Sequence, residues 1–420
     1  MTSTTMRLVP ITLFAAACGG DILGGARWAG TMTDSAGVTI VENAGSGVWE
    51  DADRPAVEQE LDIGSADADP SYQFGNITGI DVDQDSMIYV VDQQSQTVRV
   101  FDAAGAFVRE MGGPGSGPGE LGQAPAGVFV GPGDTVFVPD MQQQRVVRFT
   151  AEGEDAGTFP IPFNEGIPIR WAMTPDAMLV QQSRGIAIEG QTAPPEHDYL
   201  LVRDREGVVR DTLLTLPTGA SFQLQAGGPP KVRLFEPEPV WALLPEGRTV
   251  FGVNSEFDLR VFDRDGSLVR IVRMPFERKP VTEADRTALL RFMREAIMGQ
   301  APPEAAPQLE QFLRTIEFAD FYPAFASILG GPDGSILVQR IMTADDIAAA
   351  GGEFSAQDIG SPIWDVFDVE GRYLGVLELP MRFTPMKVID GRIWGVWRDE
   401  LDVQHVLRIR VDANTRVIDG

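Results

Sequence analysis

Between Gly79 and Gly153 the chain writes one pattern twice. Gly79-Ile80-Asp81-Val82, Ile88-Tyr89-Val90, Asp92, Val98, Phe101 and Gly105 recur as Gly127-Val128-Phe129-Val130, Val136-Phe137-Val138, Asp140, Val146, Phe149 and Gly153, each offset by 48 residues without a gap. A fixed period of that length marks a unit that cannot bury its apolar face alone and must stack against copies of itself. Runs of β-branched and aromatic residues divide each copy into four strands, a to d. In the first copy these fall around Ile77 to Val82, Met87 to Val91, Thr97 to Phe101 and Phe107 to Met111. A four-stranded antiparallel sheet repeated along a chain is a propeller blade.

The tight turn between strands c and d locates the remaining copies. It reads Phe101-Asp102-Ala103-Ala104-Gly105 in the first blade and returns as Phe149 to Gly153, Arg203 to Gly207, Phe262 to Gly266 and Phe367 to Gly371. Asp suits such a turn because its carboxylate bonds backbone N–H groups two residues on, and Gly because it accepts positive φ. A sixth blade follows at the C-terminus, with strands a to c over Phe383 to Ile389, Arg392 to Trp397 and Val403 to Val411 and little chain left for d. Residues around Leu61 are expected to supply that missing outer strand and so close the ring. Closure removes sheet edges that would otherwise pair with other chains.

The spacing between turn glycines is 48, 54, 59 and 105, so the last interval holds a blade and an insertion. Thr282-Glu283-Ala284-Asp285 has the form of a capping box, and Leu289, Leu290, Met293, Ala296 and Ile297 follow at helical spacing. After Pro302-Pro303 a second stripe, Leu309, Phe312, Leu313 and Ile316, predicts another helix, both helices packing onto the propeller. The expected fold is all-β: a six-bladed β-propeller of four-stranded antiparallel blades over residues 38–420. A small helical insertion at about 281–317 lies between blades 4 and 5.

Strand direction assigns every loop to a face. The a-to-b and c-to-d turns share one face, whereas the b-to-c loops and d-to-a linkers share the other. All the long insertions are of the second kind: Gly112 to Gln123, Ser183 to Glu196, Leu216 to Glu236, the helical pair and Ile341 to Gly360. Loops on a rigid scaffold carry function, so this elaborated face is the candidate binding surface.

The 61 acidic and 34 basic side chains leave a net charge of −27, which repels nucleic acid and anionic lipid surfaces. The single cysteine, Cys18, rules out an intramolecular disulfide. Met1 to Ala17, with Arg7 and the apolar run Leu8 to Phe14, reads as a secretory signal too short to span a bilayer. Ala15-Ala16-Ala17-Cys18 resembles a bacterial lipobox, with Ala15 where leucine is usual. The resemblance implies lipidation at Cys18, an outer-membrane location in a cell envelope, and membrane contact only through that lipid. Residues 18–37 read as a flexible tether.

The ends of the b strands place Asp92, Asp140, Gln182, Asn254, Arg340 and Asp399 at roughly equivalent positions facing the elaborated side. Together with Arg184, Trp397 and Arg398 they form the candidate ligand-binding set. A ring of such oxygens could hold Ca²⁺, chiefly through Asp92 and Asp140, although Arg340 counts against a cation there. The plainer expectation is that each polar group closes its own turn, with no cofactor. His197 and His405 are too few for a histidine-based zinc site and read as structural. No Gly-x-Ser-x-Gly elbow, phosphate loop or His-Glu-x-x-His stretch is present, so no catalytic residue is assigned.

Gly79-Ile80-Asp81-Val82 through Tyr89-Val90-Val91-Asp92 to Val98-Arg99-Val100-Phe101-Asp102 resembles an NHL repeat, and Gly115-Ser116-Gly117-Pro118-Gly119-Glu120 resembles the linker such repeats carry. The arginine usual at the start of strand c is present as Arg145 but is Thr97 in the first blade. The mature chain, from Val38-Thr39-Ile40-Val41-Glu42-Asn43 to Gly395-Val396-Trp397-Arg398-Asp399-Glu400, is similar to six-bladed β-propeller lipoproteins of Gram-negative bacteria. That resemblance implies a fold and no particular activity. The expected function is a lipid-anchored binding or scaffolding module that offers its long-loop face to a protein, peptide or glycan. The rival expectation is a metal-dependent propeller enzyme of the lactonase or lyase type, with its site at the central channel.

Overall fold

A computed structural model describes residues 28–50, 54–185, 195–219, 222–223, 231–300, 306–350 and 360–412. Six antiparallel sheets follow one another along the chain, each running from strand a to strand d. Blade 1 comprises Ile77–Val82, Ile88–Asp92, Thr97–Phe101 and Phe107–Gly112. Blade 2 comprises Phe129–Val130, Val136–Asp140, Arg145–Phe149 and Asp155–Pro160. Blade 3 is Ile167–Met173, Leu179–Arg184, His197–Arg203 and Val209–Pro217. Blade 4 is Pro239–Leu243, Thr249–Val253, Asp258–Phe262 and Leu268–Arg273. Blade 5 is Ser327–Gly330, Ile336–Ile341, Gly360–Phe367 and Tyr373–Glu378.

Blade 6 joins the two chain ends. Phe383–Ile389, Arg392–Arg398 and Gln404–Asp412 come from the C-terminal part, and Ala56–Ile63 pairs antiparallel with the last of them as strand d. The expected closure around Leu61 is therefore the observed one.

The c-to-d turns behave as their composition predicts. Asp102, Asp204 and Asp368 each accept two backbone N–H bonds within the turn, at 2.9 to 3.0 Å. The glycines that end the turns, Gly105, Gly153, Gly207, Gly266 and Gly371, all sit at φ between 77° and 91°, where a β-carbon is strained. Tight turns let neighbouring blades pack face to face, and apolar clusters fill each seam. Between blades 1 and 2, for example, Tyr89, Val98, Val100 and Met111 meet Val136, Val138, Val147 and Phe149.

Two features of the N-terminal and inserted segments depart from expectation. Gly30–Ser35, inside the stretch read as tether, is a strand; it forms a hairpin with Val38–Asn43, which pairs parallel with strand d of blade 4. Blade 4 thus has six strands. Ile316, read as helical, instead opens the strand Ile316–Phe318, because helix α2 (Ala306–Leu313) ends earlier.

The first helix, α1 (Glu283–Gln300), starts at the predicted box: Asp285 N–H donates to Thr282 Oγ1 at 3.2 Å and Thr282 N–H returns to the Asp285 carboxylate at 2.8 Å. A third helix, α3 (Ala344–Ala350), lies in the b-to-c insertion of blade 5 and repeats the device with Thr343 and Asp346.

Candidate functional site

The elaborated face carries a cap assembled from three insertions distant in sequence. Lys231–Leu234, from the linker between blades 3 and 4, pairs parallel with Ile316–Phe318 from the linker between blades 4 and 5. Phe235, Leu289, Tyr322 and Ile347 then meet in one apolar cluster that includes Ala344 of α3. From the stripe of α1, Leu289 packs in this cluster, which also takes in Ile341 at the end of strand b of blade 5. Beside the cap lies a cleft of ≈ 390 Å³ lined by Phe257, Phe276, Tyr322, Arg340, Ile363 and Asp365, among others.

Within that cleft Arg340 grips the buried Asp365 through Nε at 3.0 Å and Nη2 at 2.7 Å, while the Tyr373 hydroxyl donates to the same carboxylate at 2.8 Å. Burial first, and the charge of Asp365 second, push the Tyr373 hydroxyl well above the usual phenol range, so it stays a donor. Half of the Arg340 side chain remains open to the cleft.

The other b-strand residues do not converge on a shared site. Asp92 accepts N–H bonds from Gly75, Asn76 and Gln94 at 2.9 to 3.2 Å and pairs with Arg99 at 3.2 Å. Asp140 accepts from Gly122 and Gln143. Asn254 accepts from Glu238 N–H and donates to Phe325 O. In all three, the polar group braces the segment entering strand a of its own blade. Asp399 accepts from Leu401 and Val403 within its own turn, Trp397 Nε1 donates to Met381 O, and Arg398 Nε lies 3.9 Å from Asp402. In blade 3 the pairing puts Ser183, rather than Gln182, at the level of Asp92. Among the described residues, no group of three or more His, Cys, Asp or Glu side chains is placed to hold a metal ion. His405 serves the closure, its Nδ1 lying 2.7 Å from Asp62 of the closing strand.

Arg184 belongs to a buried network at the seam of blades 3 and 4. Its guanidinium meets Asp198 at 2.8 to 3.0 Å and Glu238 at 2.8 Å. Asp198, fully buried, also receives Gln182 Nε2 and Thr218 Oγ1. Gln182 Oε1 in turn accepts Trp241 Nε1 at 2.7 Å, which fixes the indole plane on the innermost strand of blade 4.

The ring axis, where the rival expectation put its site, holds a second hollow, and its lining residues were not among the sequence candidates. A cavity of ≈ 410 Å³ is lined by the inner strands of all six blades, with Asp81, Arg170 and Lys387 the charged groups in its wall. Lys387 Nζ of blade 6 sits 2.7 Å from Asp81 of blade 1, and the other oxygen of Asp81 accepts Val130 N–H of blade 2 at 2.8 Å. Asp81 therefore ties three blades together and is fully committed. Arg170 projects from the residue where strand a of blade 3 resumes its register after a bulge, a device that re-aims side chains. Its guanidinium lies 5.2 Å from the centre of the Trp241 ring. No carboxylate among the described residues pairs with it, and desolvation alone pulls its pKa down to about 10, so it remains a cation at neutral pH.

Two comparisons with known proteins place this architecture. A family model described as a six-bladed β-propeller matches residues 69–212, which span blades 1 to 3. The fold is a six-bladed β-propeller. This propeller superposes on a protein of Bacteroides fragilis assigned as exported, with a TM-score of 0.52 and 12% identity over 89% of this chain and 99% of that one. Virginiamycin B lyase of Staphylococcus aureus aligns at 0.45 and 9% identity over 85% of this chain and 100% of the lyase. A luciferin-regenerating enzyme aligns at 0.42 and 10% over 86% and 97%. At such identities the likeness is one of fold alone. No curated protein matches the chain.

Proposed function

We propose that the propeller is an exported binding module whose partner, a peptide or glycan segment, sits in the cleft between the cap and blades 4 and 5. The cap is the observation that carries this reading. Three insertions on one face pack into a common core, and the cleft beside them combines apolar walls with the half-open Arg340. Apolar lining with a few placed polar groups is the usual make-up of a small binding site. A panel of peptides and oligosaccharides screened by thermal shift tests it. Ligands that raise the melting temperature should lose that effect in Ile363→Arg, which drives a charge into the cleft, while the unliganded variant still folds. Ligands that bind Ile363→Arg undiminished, or that wild-type protein converts, overturn the reading.

Export and anchoring rest on the signal-like segment and Cys18, which lie outside the described residues. No helix among the described residues is long and apolar enough to cross a membrane. Cys18→Ser is expected to move the protein from the detergent phase to the aqueous phase and to abolish metabolic labelling with palmitate. Unchanged partitioning would refute the anchor.

A further inference from the structure

The axial cavity lies apart from the cap cleft and needs its own explanation. Its wall carries two cations, Arg170 and Lys387, against one carboxylate, Asp81, so it holds one uncompensated positive charge in a chain of net charge −27. Lys387 is neutralised by Asp81 at 2.7 Å; Arg170 therefore bears the excess. A part-exposed guanidinium in the wall of a cavity, with no carboxylate among the described residues to pair with it, is poised to take up an anion from solution.

Strand geometry shows that this charge is placed rather than stranded. By the a-to-b pairing, Arg170 stands where blade 1 has Gly79, opposite Gln182 as Gly79 is opposite Val91. In blade 1 a β-carbon at that level would come within 2.5 Å of the Val128 backbone nitrogen, so the inner strands close together and admit only glycine. In blade 3 the same level opens to hold an arginine against an indole.

That indole is held on its far side by the Gln182–Asp198–Arg184 network, so the stacking surface is fixed before any ligand arrives. Phe129, Met173, Leu243, Leu329 and Met386 supply apolar wall around the charge. The cavity shares Pro245 and Val388 with a wider hollow of ≈ 790 Å³ whose rim is formed by turn residues of the trimmed face, among them Glu246, Arg248 and Asp390. Entry is thus from the side opposite the cap.

We propose that the channel is a binding site for a small carboxylate with an apolar or aromatic body, the carboxylate seated on the Arg170 guanidinium and the body against Trp241 and the aliphatic wall. One excess charge favours a monoanion over a phosphate ester, and the planar fork of arginine suits a carboxylate held through two parallel bonds. The volume falls within the range of about 300–1,000 Å³ usual for small-molecule pockets. This site does not depend on the cleft reading: either can fail while the other stands.

The test uses benzoate and indole-3-acetate as probes, with benzamide and indole-3-acetamide as their uncharged counterparts, followed by calorimetry and tryptophan fluorescence. The carboxylates should bind and perturb the fluorescence, and their amides should bind weakly or not at all. Arg170→Met, which keeps the stem and removes the charge, should weaken carboxylate binding about 10- to 100-fold, as expected when charge-assisted hydrogen bonds are lost. Because no carboxylate among the described residues pairs with Arg170, the unliganded Arg170→Met protein should melt no lower than wild type. Arg170→Lys should retain the charge but recover only part of the affinity. Equal binding of acids and amides, undiminished binding to Arg170→Met, or failure of both acids to bind wild type would each overturn the proposal. So would a clear drop in the melting temperature of Arg170→Met, which would mark the arginine as a structural partner.

Discussion

A chain shortened to begin at Ser65 should lose cooperative unfolding and aggregate, whereas one beginning at Gly30 should melt like the longer protein. The first removes Ala56–Ile63, the outer strand of blade 6, which contributes a whole ladder of pairs from Ala56 opposite Asp412 to Ile63 opposite Val406. Ile63 is buried and Leu61 packs beside it against the core of blades 6 and 1. Each buried aliphatic side chain is worth about 1.5–3 kcal/mol and each ladder bond about 1 kcal/mol net. Their loss approaches the whole 5–15 kcal/mol of a typical domain, and the exposed edge of Gln404–Asp412 then becomes a template for other chains. A third length, beginning at Gly45, removes only the hairpin and should retain a cooperative, lower-melting transition. Equal urea midpoints for all three lengths would show that ring closure by this strand is not needed.

The same strand gives the fold an acid-sensitive point. Glu60 accepts Arg392 Nε at 3.0 Å and lies near Arg408 and Arg410. The hydrogen bond from Arg392, then the surrounding positive charge, holds its carboxyl below the usual range. A depressed carboxylate stabilises the folded state above its ordinary pKa of about 4.3; that contribution disappears as pH falls through the folded value. Its solvent exposure limits the effect to about 1 kcal/mol. Glu60→Gln should therefore lower stability at neutral pH and flatten its decline on acidification.

Asp198→Ala should cost about 3–5 kcal/mol in urea unfolding, the largest single-residue effect expected outside the apolar core. Removing that carboxylate strips Arg184, Gln182 and Thr218 of their shared acceptor and leaves a part-buried guanidinium with Glu238 as its remaining partner. Burial weighs against the Arg184 charge, but the hydrogen bonds it donates to Asp198, with the charge of Glu238, hold it protonated more firmly than a free guanidinium. Combining Asp198→Leu with Arg184→Met should restore part of the loss, since the guanidinium is then no longer left without Asp198 and the more exposed Glu238 can turn to water. A change below about 1 kcal/mol in Asp198→Ala would mean that the seam is held by its apolar packing alone. The indole fluorescence of Trp241 gives an independent readout, because Gln182 connects it to Asp198.

Much of this ring was legible because its determinants are local. Positive-φ glycines, turn aspartates and the 48-residue offset are written at fixed spacings, and the closing strand followed from counting strands in the last copy. The hairpin Gly30–Asn43 was not legible as part of blade 4. It adds by a parallel pairing of Thr39 with Arg270, and no turn or spacing in the sequence announces a contact so remote. Helix α3 did have a signal, Thr343 followed three residues later by Asp346, which the Gly-Ala-rich insertion around it obscured.

The b-strand ends other than Arg340 are held apart from one another for a physical reason. Those positions face the amides that lead into strand a, so Asp92, Asp140 and Asn254 are consumed by the backbone before a ligand can reach them. Arg170 left a fainter trace: an arginine within Ile167-Pro168-Ile169-Arg170-Trp171-Ala172-Met173, with no acidic residue in that innermost strand to answer it. Charge without a local partner was the more telling signal.

The path of the N-terminal segment has a geometric consequence. From its hairpin on blade 4, the chain crosses blade 5, where Trp49 N–H bonds Leu374 O, and reaches blade 6 at Ala56. Gly30 therefore leaves the ring from its outer circumference, the hairpin being the outermost pair in the sheet. A lipid on Cys18 would moor the disc by its rim, on a leash of about 40 Å at full extension. Attached at its rim and not at either face, the disc would leave both the cap and the channel mouth open to the surrounding solution.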